Sequence, residues 1–259
     1  MGNSSYKIYN SNEKQGWFIS KNHDDYFYSK YLDARKDNYI EPWKDDKIHY
    51  HTISQEIFLV LEGEVTLLIG KKLFTLQRRN LLIVNPKVSH AVLDGKGKIQ
   101  YYNMKIPQDD DKRIVLQEGI QSDKIITNTK YGKLDSNEGF FADLTLPENQ
   151  NCWLIDYGVA KYYSLEFSMA YINFKSESDF KEVKHPNNLH YHSSSEEWYF
   201  TFNGSQELMI GKEKVEVPED FLLKVEMNTP HKIIKRKYPF EGITLRTPNI
   251  RGDKVSLEG

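Results

Sequence analysis

The sequence predicts an all-β protein built from two similar units in tandem. Three observations support this fold class. Short apolar runs rich in β-branched and aromatic residues recur along the chain, residues typical of turns separate them, and the second half of the chain repeats the first. No convincing long amphipathic helix interrupts the runs. With 259 residues, the chain is long enough to bury a core in each half.

The repeat needs no gap over its best-matching part. When the chain is compared with itself at an offset of 141 residues, 14 of the 42 residues between positions 49 and 90 are identical. Similarity at a fixed offset is the signature of an internal duplication. The main matched pairs are His49 with His190, His51 with His192, Glu56 with Glu197, Gly63 with Gly204, Gly70 with Gly211, and His90 with His231.

Each unit contains the same series of predicted strands. The runs EIFLVLEGEVTLLIG and EWYFTFNGSQELMIG are each typical of two strands joined at a central Gly. NLLIVNP and DFLLKVE follow as further apolar runs, and KIQYYNMKIP and EGITLRTP close the two units. The segments that precede each unit are also strand-like. Many short strands at near-regular spacing favour a sandwich or a barrel.

The boundary between the units is expected in the charged and turn-rich stretch between residues 108 and 145. We place an N-terminal domain at residues 1–125 and a C-terminal domain at residues 126–259. Exchange of a strand between the two halves would blur this boundary.

Composition limits the classes of partner. Lys and Arg total 35 against 37 Asp and Glu, so the chain has no basic surface signal for nucleic acid, and small molecules or proteins are the expected partners. The sequence contains no run of 18 apolar residues, as a membrane-spanning helix would require, and no secretory signal is evident. A cytoplasmic location is therefore expected. Because Cys152 is the single cysteine, Cys-rich zinc sites are excluded.

The histidines carry the strongest functional signal. Six of the eight lie in the repeated positions. Residues i and i+2 of a strand point to the same face, so the sequence HYH places two imidazoles side by side in each unit, with Tyr50 or Tyr191 on the opposite face. Two convergent imidazole nitrogens are the beginning of a metal site.

A Glu and a third His complete each set. Three imidazoles and one carboxylate suit a divalent first-row metal such as Fe, Mn, Ni, Co or Zn, and a six-coordinate ion would keep two positions for water or substrate. Two alternatives stay open. In the first, the histidines bind no metal and are polar strand residues bonded to backbone or to one another. In the second, only one of the two units binds metal, and the histidines of the other unit serve only in packing.

At these positions the sequence resembles the cupin superfamily. HYHTISQEIFLVLEG and HYHSSSEEWYFTFNG are similar to the first cupin motif, in which His-x-His is followed by four residues, Glu, six residues and Gly. RRNLLIVNPKVSH and EDFLLKVEMNTPH resemble the second motif, which ends in His. The resemblance covers about residues 30–107 and 170–248, and it implies a bicupin made of two tandem jelly-roll β-barrels.

The resemblance also implies site residues. Glu56 and Glu197 would bind the metal or act as general bases. Where cupins often have Gly in the second motif, this chain has Lys87 in one half and Asn228 in the other, so a turn of different shape is expected before His90. The implied metal ligands are His49, His51, Glu56 and His90 in the first half and His190, His192, Glu197 and His231 in the second.

Three further residues are candidates for contact with substrate. Lys105 and Arg246 occupy equivalent places in the last strand of each unit, where a cation aimed into the barrel would hold a carboxylate or phosphate. Tyr102, or its neighbour Tyr101, is a candidate on the same strand. Strand alternation equally permits these side chains to face water.

The function that these features favour is a metal-dependent enzyme acting on a small anionic or polyoxygenated molecule, with oxygenase chemistry first. The alternatives are isomerase or lyase chemistry with the same metal and no other cofactor, a barrel that binds a sugar or acid without turnover, and a metal that only stabilises the fold. The resemblance also implies pairing into a homodimer through barrel edges, although the edges of a bicupin can be covered within one chain.

The remaining charged segments are expected at the solvated surface. They are His23 and His185 in loop-like stretches, the acidic run Asp109 to Asp111, and the basic run KIIKRK that begins at Lys232.

Overall fold

The computed structural model describes residues 5–11, 16–19, 29, 31–39, 47–108, 110–116, 127–129, 134–157, 160–182 and 188–257. The predicted all-β class is confirmed in these residues, whose regular structure is almost entirely strand, with one short α-helix, α1 (Glu177–Glu182), and one turn of 3-10 helix (Pro147–Asn149). No helix in the described ranges is long and apolar enough to cross a membrane. His23 and His185 lie outside the described residues.

The chain forms two compact units. The N-terminal unit comprises Lys14–Leu146, and the C-terminal unit comprises Pro147–Gly259 together with Met1–Glu13. The predicted domain boundary between residues 125 and 126 falls outside the described residues.

The first strand of the chain, β1 (Tyr6–Asn10), belongs to the C-terminal unit, and the next ten described strands form the sheet of the N-terminal unit. Strands β10, β6, β5, β8, β3 and β2 lie side by side in that order, β7 joins through β5, β11 pairs with β7, and β4 pairs with β8 and β9. The ten strands are β2 (Gly16–Ile19), β3 (Asp33–Tyr39), β4 (His49–His51), β5 (Gln55–Ile69), β6 (Lys72–Gln77), β7 (Asn80–Val84), β8 (His90–Ile106), β9 (Arg113–Val115), β10 (Thr127–Thr129) and β11 (Gly139–Asp143).

The C-terminal unit repeats this sheet. Its central path runs β1, β18, β16, β19, β14, β12 and β13, while β17 pairs with β16, and β15 pairs with β19 and β20. Its other described strands are β12 (Cys152–Asp156), β13 (Tyr162–Tyr163), β14 (Ser168–Phe174), β15 (His190–His192), β16 (Glu196–Ile210), β17 (Glu213–Val217), β18 (Phe221–Val225), β19 (His231–Thr247) and β20 (Lys254–Ser256).

Strand β1, which precedes the first sequence repeat, lies in the compact unit of the second repeat, and β11, which precedes the second repeat, lies in the compact unit of the first. Strand β1 pairs antiparallel with β18, with Tyr6 opposite Val225, and β11 pairs antiparallel with β7, with Gly139 opposite Val84. Val84 and Val225 are equivalent in the repeat, so the two pairings have the same register. This reciprocal exchange covers an edge strand in each unit. It is also the reason that the compact units divide at Leu146 and not at the edge of the repeat.

Alternate residues of the long strands form the core and place the ligand carboxylate on the same face. In the N-terminal unit, Phe58 and Val60 of β5 pack with Val84 of β7 and Tyr101 of β8 in one buried cluster. Because side chains at i and i+2 share a face, Glu56 of β5 lies on the same face as Phe58. The strand therefore places an acidic side chain at the edge of the apolar core.

The Gly of the first motif permits β5 to pass close to β8. Gly63 has φ +77°, and a Cβ there would lie 2.6 Å from the carbonyl oxygen of Lys98. Gly97 has nearly the same φ, +78°, with no atom within 4 Å of its Cβ position. We expect Gly97→Ala to cost about 1–2 kcal/mol through the left-handed backbone alone. Gly63→Ala should cost about 1–3 kcal/mol more through the clash with Lys98.

Urea unfolding of the two glycine variants measures this difference. Equal losses of unfolding free energy would show that the approach of the strands does not constrain Gly63.

Candidate metal centres

The four predicted ligands of the N-terminal unit meet at one buried point. His49 and His51 come from β4, Glu56 from β5 and His90 from the start of β8. One ligand atom from each lies within 4.8 Å of the others, and all four residues are buried. Antiparallel pairing explains the meeting, because His49 lies directly opposite His90.

The C-terminal unit brings together the equivalent four residues. His190 and His192 of β15, Glu197 of β16 and His231 of β19 are buried, with ligand atoms within the same 4.8 Å limit. His190 lies opposite His231, as His49 does opposite His90. The two clusters that the repeat predicts are therefore both present in the fold.

The turn before the third His is the same in both units. Lys87 has φ 65° and Asn228 has φ 60°, so both adopt the left-handed conformation that Gly favours. The N–H of Lys87 donates to the carbonyl of His51, and the N–H of Asn228 donates to that of His192, at 2.7 Å in each case. The difference in shape expected from Lys87 is not found at this residue.

Backbone carbonyls fix the orientation of four imidazoles. His49 Nδ1 lies 2.8 Å from the carbonyl oxygen of Lys47, and His90 Nδ1 lies 2.9 Å from that of Val88. The C-terminal unit repeats these contacts at His190 and His231. These contacts hold each ring with its Nε2, the nitrogen that would bind a metal, toward the ligand carboxylate.

Two aspartates hold the remaining imidazoles. Asp111 accepts a hydrogen bond from His51 Nδ1, and Asp253 Oδ2 accepts one from His192 Nδ1 at 3.0 Å. Their side chains are only 7% and 0% exposed. The expected solvated position of the acidic run is therefore wrong for Asp111. A carboxylate behind a ligating imidazole fixes its tautomer and raises its basicity.

The same aspartates also hold the loop that leads to the ligand carboxylate. Asp111 Oδ1 accepts from the N–H groups of Ile53 and Ser54 at 3.0 and 3.2 Å. Asp253 Oδ1 accepts from the N–H of Ser194 and the hydroxyl of Ser193. Burial raises the pKa of Asp111, but the N–H of Ile53 and then His51 outweigh it and lower that pKa overall.

Sequence comparison missed these aspartates because the ungapped offset does not align them. At the offset of 141 residues, Asp111 matches Gly252 and Asp253 matches Lys112. The C-terminal unit has one residue more than the N-terminal unit between its closing strand and the aspartate, and one residue fewer between the aspartate and the next short strand. Two compensating one-residue gaps, one on each side of the aspartate, would have paired them and kept β9 aligned with β20.

The ligand carboxylates are buried, and each lies close to the three imidazoles of its cluster. Glu56 Oε2 lies 3.8 Å from His49 Nε2, 3.1 Å from His51 Nε2 and 2.6 Å from His90 Nε2. Burial raises the pKa of Glu56, but the charge of His90 and hydrogen bonds from the imidazoles hold it well below the usual range. Burial and imidazole hydrogen bonds act in the same opposed way on Glu197, with the same net direction.

The donor set fits a divalent first-row metal. His192 Nε2 is a buried nitrogen with no hydrogen-bond partner among the described residues. An orphaned, inward-facing nitrogen is costly unless something binds it. Three imidazole nitrogens and one carboxylate oxygen are borderline donors of the type that Fe, Mn, Co, Ni and Zn accept.

Lys105 and Arg246, the two cationic residues predicted to bind substrate, lie on the same sheet face as the ligand carboxylates. Lys105 is directly opposite Glu56 in the pairing of β5 with β8, and Arg246 is directly opposite Glu197 in that of β16 with β19. Directly opposed side chains share a sheet face. Tyr102 is buried on the other face of β8, with Lys36 Nζ 5.7 Å from its ring centroid, and so does not join the cluster.

Arg246 is held in place while part of its guanidinium stays unused. The residue is 8% exposed, its Nη2 donates to Asn249 Oδ1 at 2.8 Å, and Asp156 Oδ1 lies 3.7 Å away. Its Nε has no hydrogen-bond partner among the described residues. A buried arginine with a spare donor is suited to an anionic ligand.

The basic run from Lys232 is not wholly at the surface. Arg236 is 5% exposed, and its guanidinium carbon lies 5.4 Å from the ring centroid of Phe174 and 4.8 Å from that of Phe240. Burial lowers its pKa to about 10. The solvated position expected for this run is therefore wrong for Arg236, which packs between aromatic rings.

Comparison with known proteins supports the fold. No protein-family model and no curated protein matches the chain. Among solved structures, an oxalate decarboxylase of Lactobacillus farciminis in complex with formate matches with a TM-score of 0.64 and 11% identity, covering 99% of this chain and 90% of that one. A mutant oxalate decarboxylase of Bacillus subtilis gives 0.59 and 11%, with 99% and 80% covered.

A third solved structure is a mutant of salicylate 1,2-dioxygenase from Pseudoaminobacter salicylatoxidans. It matches with a TM-score of 0.60 and 10% identity, covering 88% of this chain and 73% of that one. The Bacillus subtilis oxalate decarboxylase is described as having Mn(II) centres. The chain therefore shares its fold with these proteins, and each of its compact units carries one buried cluster of three His and one Glu.

Proposed function

We propose that the protein is a metal-dependent enzyme that acts on a small carboxylate or another anionic, oxygen-rich molecule. The observation that carries this proposal is the pairing of a cation with each ligand carboxylate, the half-buried Lys105 opposite Glu56 and the buried Arg246 opposite Glu197. A cation shielded from solvent beside three imidazoles and one carboxylate is poised to receive an anion.

The eight predicted ligands would hold one divalent ion in each unit. Such an ion, when bound, would polarise two oxygens of the substrate and make a neighbouring proton more acidic. The solved structures of similar fold favour Mn for the first trials, because one of them is described with Mn(II) centres. Fe, Ni, Co and Zn remain in the proposed set.

The side chains around the ion have separate roles. Arg246 would take one carboxylate group of the substrate through its spare N–H, and Lys105 would do so as a point charge in the other unit. Glu56 and Glu197 would be ligands, or would accept a proton at Oε2 when freed from the ion. Buried apolar residues such as Phe58 and Tyr101 would keep water from the reacting groups.

Oxygenase chemistry is the first reaction to test, and a lyase reaction such as decarboxylation is the second. The salicylate dioxygenase is similar in fold and supports the first. The two oxalate decarboxylases, which cover 99% of this chain, support the second. An isomerase, a cytoplasmic location and a homodimer stay predictions.

Metal reconstitution followed by paired assays tests the proposed function. Protein freed of metal and loaded with Mn(II) or Fe(II) is expected to hold close to two ions per chain. It is then incubated with mono- and dicarboxylates and aromatic hydroxyacids under air and under nitrogen. An oxygenase consumes dioxygen with its substrate, whereas a lyase works equally well under nitrogen. Uptake of less than about a tenth of an ion per chain would rule out every metal-centred function.

Removal of Arg246 is expected to weaken anion binding at the C-terminal site. Arg246→Ala should raise the Kd of metal-loaded protein for oxalate or formate by about 10- to 100-fold, because a charge-assisted hydrogen bond contributes about 1.5–3 kcal/mol. Isothermal titration calorimetry on protein with only the C-terminal site intact measures this change. Arg251→Ala removes the same charge from an exposed position and serves as the control. Equal effects of the two variants would contradict the role of Arg246.

A further inference from the structure

The two metal clusters differ in the residues that hold the ligand carboxylate. Phe58 in the N-terminal unit and Tyr199 in the C-terminal unit are equivalent in the repeat. Their rings have the same placement, since Phe58 lies 6.3 Å from the ring centroid of His90 at 77° and Tyr199 lies 6.2 Å from that of His231 at 80°. One phenolic hydroxyl therefore distinguishes the two aromatic positions.

The residue across the strand pair changes at the same time. Phe58 is directly opposite Asn103, and Tyr199 is directly opposite Thr244. The N-terminal unit thus combines Phe with Asn, whereas the C-terminal unit combines Tyr with Thr. In each pair, one residue donates a hydrogen bond to the ligand carboxylate.

The two donors reach different oxygens. Asn103 Nδ2 donates to Glu56 Oε1 at 2.6 Å, which leaves Oε2 to face the imidazoles. The hydroxyl of Tyr199 donates to Glu197 Oε2 at 2.9 Å, and this same oxygen lies 2.6 Å from His231 Nε2. In each site, we call Oε2, which faces the imidazoles, the inward oxygen, and Oε1 the outward oxygen. The hydrogen bond therefore falls on the outward oxygen of Glu56 and on the inward oxygen of Glu197.

This difference has a direct consequence for metal binding. A donor on the outward oxygen fixes the carboxylate and leaves the lone pairs of the inward oxygen for the ion, as an outer-shell partner does in metal sites. A donor on the inward oxygen competes with the ion for those lone pairs. It also places the hydroxyl of Tyr199 2.9 Å from the oxygen that would bind the ion.

We propose that Asn103 and Tyr199 are positioning residues that make the two metal sites unequal. The N-terminal site holds its ion tightly through a locked Glu56. The C-terminal site binds its ion more weakly through a shared Glu197 oxygen, and so is the site whose coordination opens for substrate. This inference rests on the proposed function, because it requires that both clusters bind metal.

Two single-site proteins separate the sites for measurement. The variant His190→Ala with His192→Ala keeps the N-terminal site, and His49→Ala with His51→Ala keeps the C-terminal site. Titration with Co(II), followed by visible absorption, reports affinity and coordination without any need for turnover. We expect about tenfold tighter Co(II) binding by the N-terminal site and different absorption bands from the two sites.

Exchange of the residue pairs between the sites is the decisive step. In the first protein, Phe58→Tyr with Asn103→Thr should weaken Co(II) binding and shift the bands toward those of the C-terminal site. In the second, Tyr199→Phe with Thr244→Asn should do the reverse. Each substitution is native to the equivalent register position of the other unit, and circular dichroism checks that the variants fold.

A single substitution keeps the inference testable if a double variant does not fold. Tyr199→Phe alone removes the competing donor, so it should tighten Co(II) binding at the C-terminal site about fivefold, the equivalent of one net hydrogen bond. Unchanged or weaker binding overturns the inference, and so do equal affinities and spectra of the two single-site proteins. Failure of the unmodified protein to bind Co(II) would instead overturn the proposed function.

Discussion

The variant with alanine at both His190 and His192 is expected to bind one metal ion per chain in place of two. The variant with alanine at both His49 and His51 should likewise bind one, at the opposite site. Each pair supplies two of the four donors of its cluster, and the remaining Glu and His do not make a site of useful affinity for a first-row ion.

Elemental analysis after reconstitution counts the ions, and thermal unfolding with and without metal reports their linkage to the fold. Metal that binds only the folded state should raise the Tm of the unmodified protein, and chelation should reverse that increase. Each single-site variant should show a smaller increase.

The tyrosine between each pair of histidines provides a matched control. Tyr191 is only half-buried, with a buried His on either side. Tyr191→Phe should therefore leave the metal count unchanged. A histidine variant that still binds two ions would show that the cluster is not the metal site. Loss of both ions from either variant would show that the two sites bind cooperatively.

The ligand set was predictable because two regular patterns in the sequence, the alternation of residues in a strand and the 141-residue repeat, identify its members. Strand alternation places His49 beside His51, and an ungapped repeat marks Glu56 and His90 as parts of the same set. The side of the strand that faces the core was not predictable from one chain. Register decides that Lys105 faces Glu56 while Tyr102 faces away, and register depends on contacts distant in sequence.

Two features depend on contacts between residues distant in sequence. The position at which the compact units divide depends on β1 and β11, which pair with β18 and β7, and strand composition does not encode the choice of partner. Burial of Asp111 depends on a hydrogen bond to His51, and acidic runs are solvated unless such a partner exists.

Asp253→Ala is expected to weaken metal binding at the C-terminal site by about 10- to 100-fold, the usual effect of losing an outer-shell partner of a ligating imidazole. The substitution leaves His192 Nδ1 without its acceptor and frees the imidazole to rotate or change tautomer. It also releases Ser194, so the loop before Glu197 loses a tether. Co(II) titration of the protein with only the C-terminal site intact gives the affinity.

Asp111→Ala is the reciprocal experiment, because it should weaken the N-terminal site and leave the C-terminal site unchanged. Asp253→Asn separates geometry from charge. Its amide oxygen still accepts from His192 Nδ1, so a smaller loss than that of Asp253→Ala is expected if orientation of the imidazole is the main effect. A loss as large as that of alanine would assign the effect to the carboxylate charge. Unchanged metal affinity with lowered unfolding free energy would instead limit Asp253 to holding the loop.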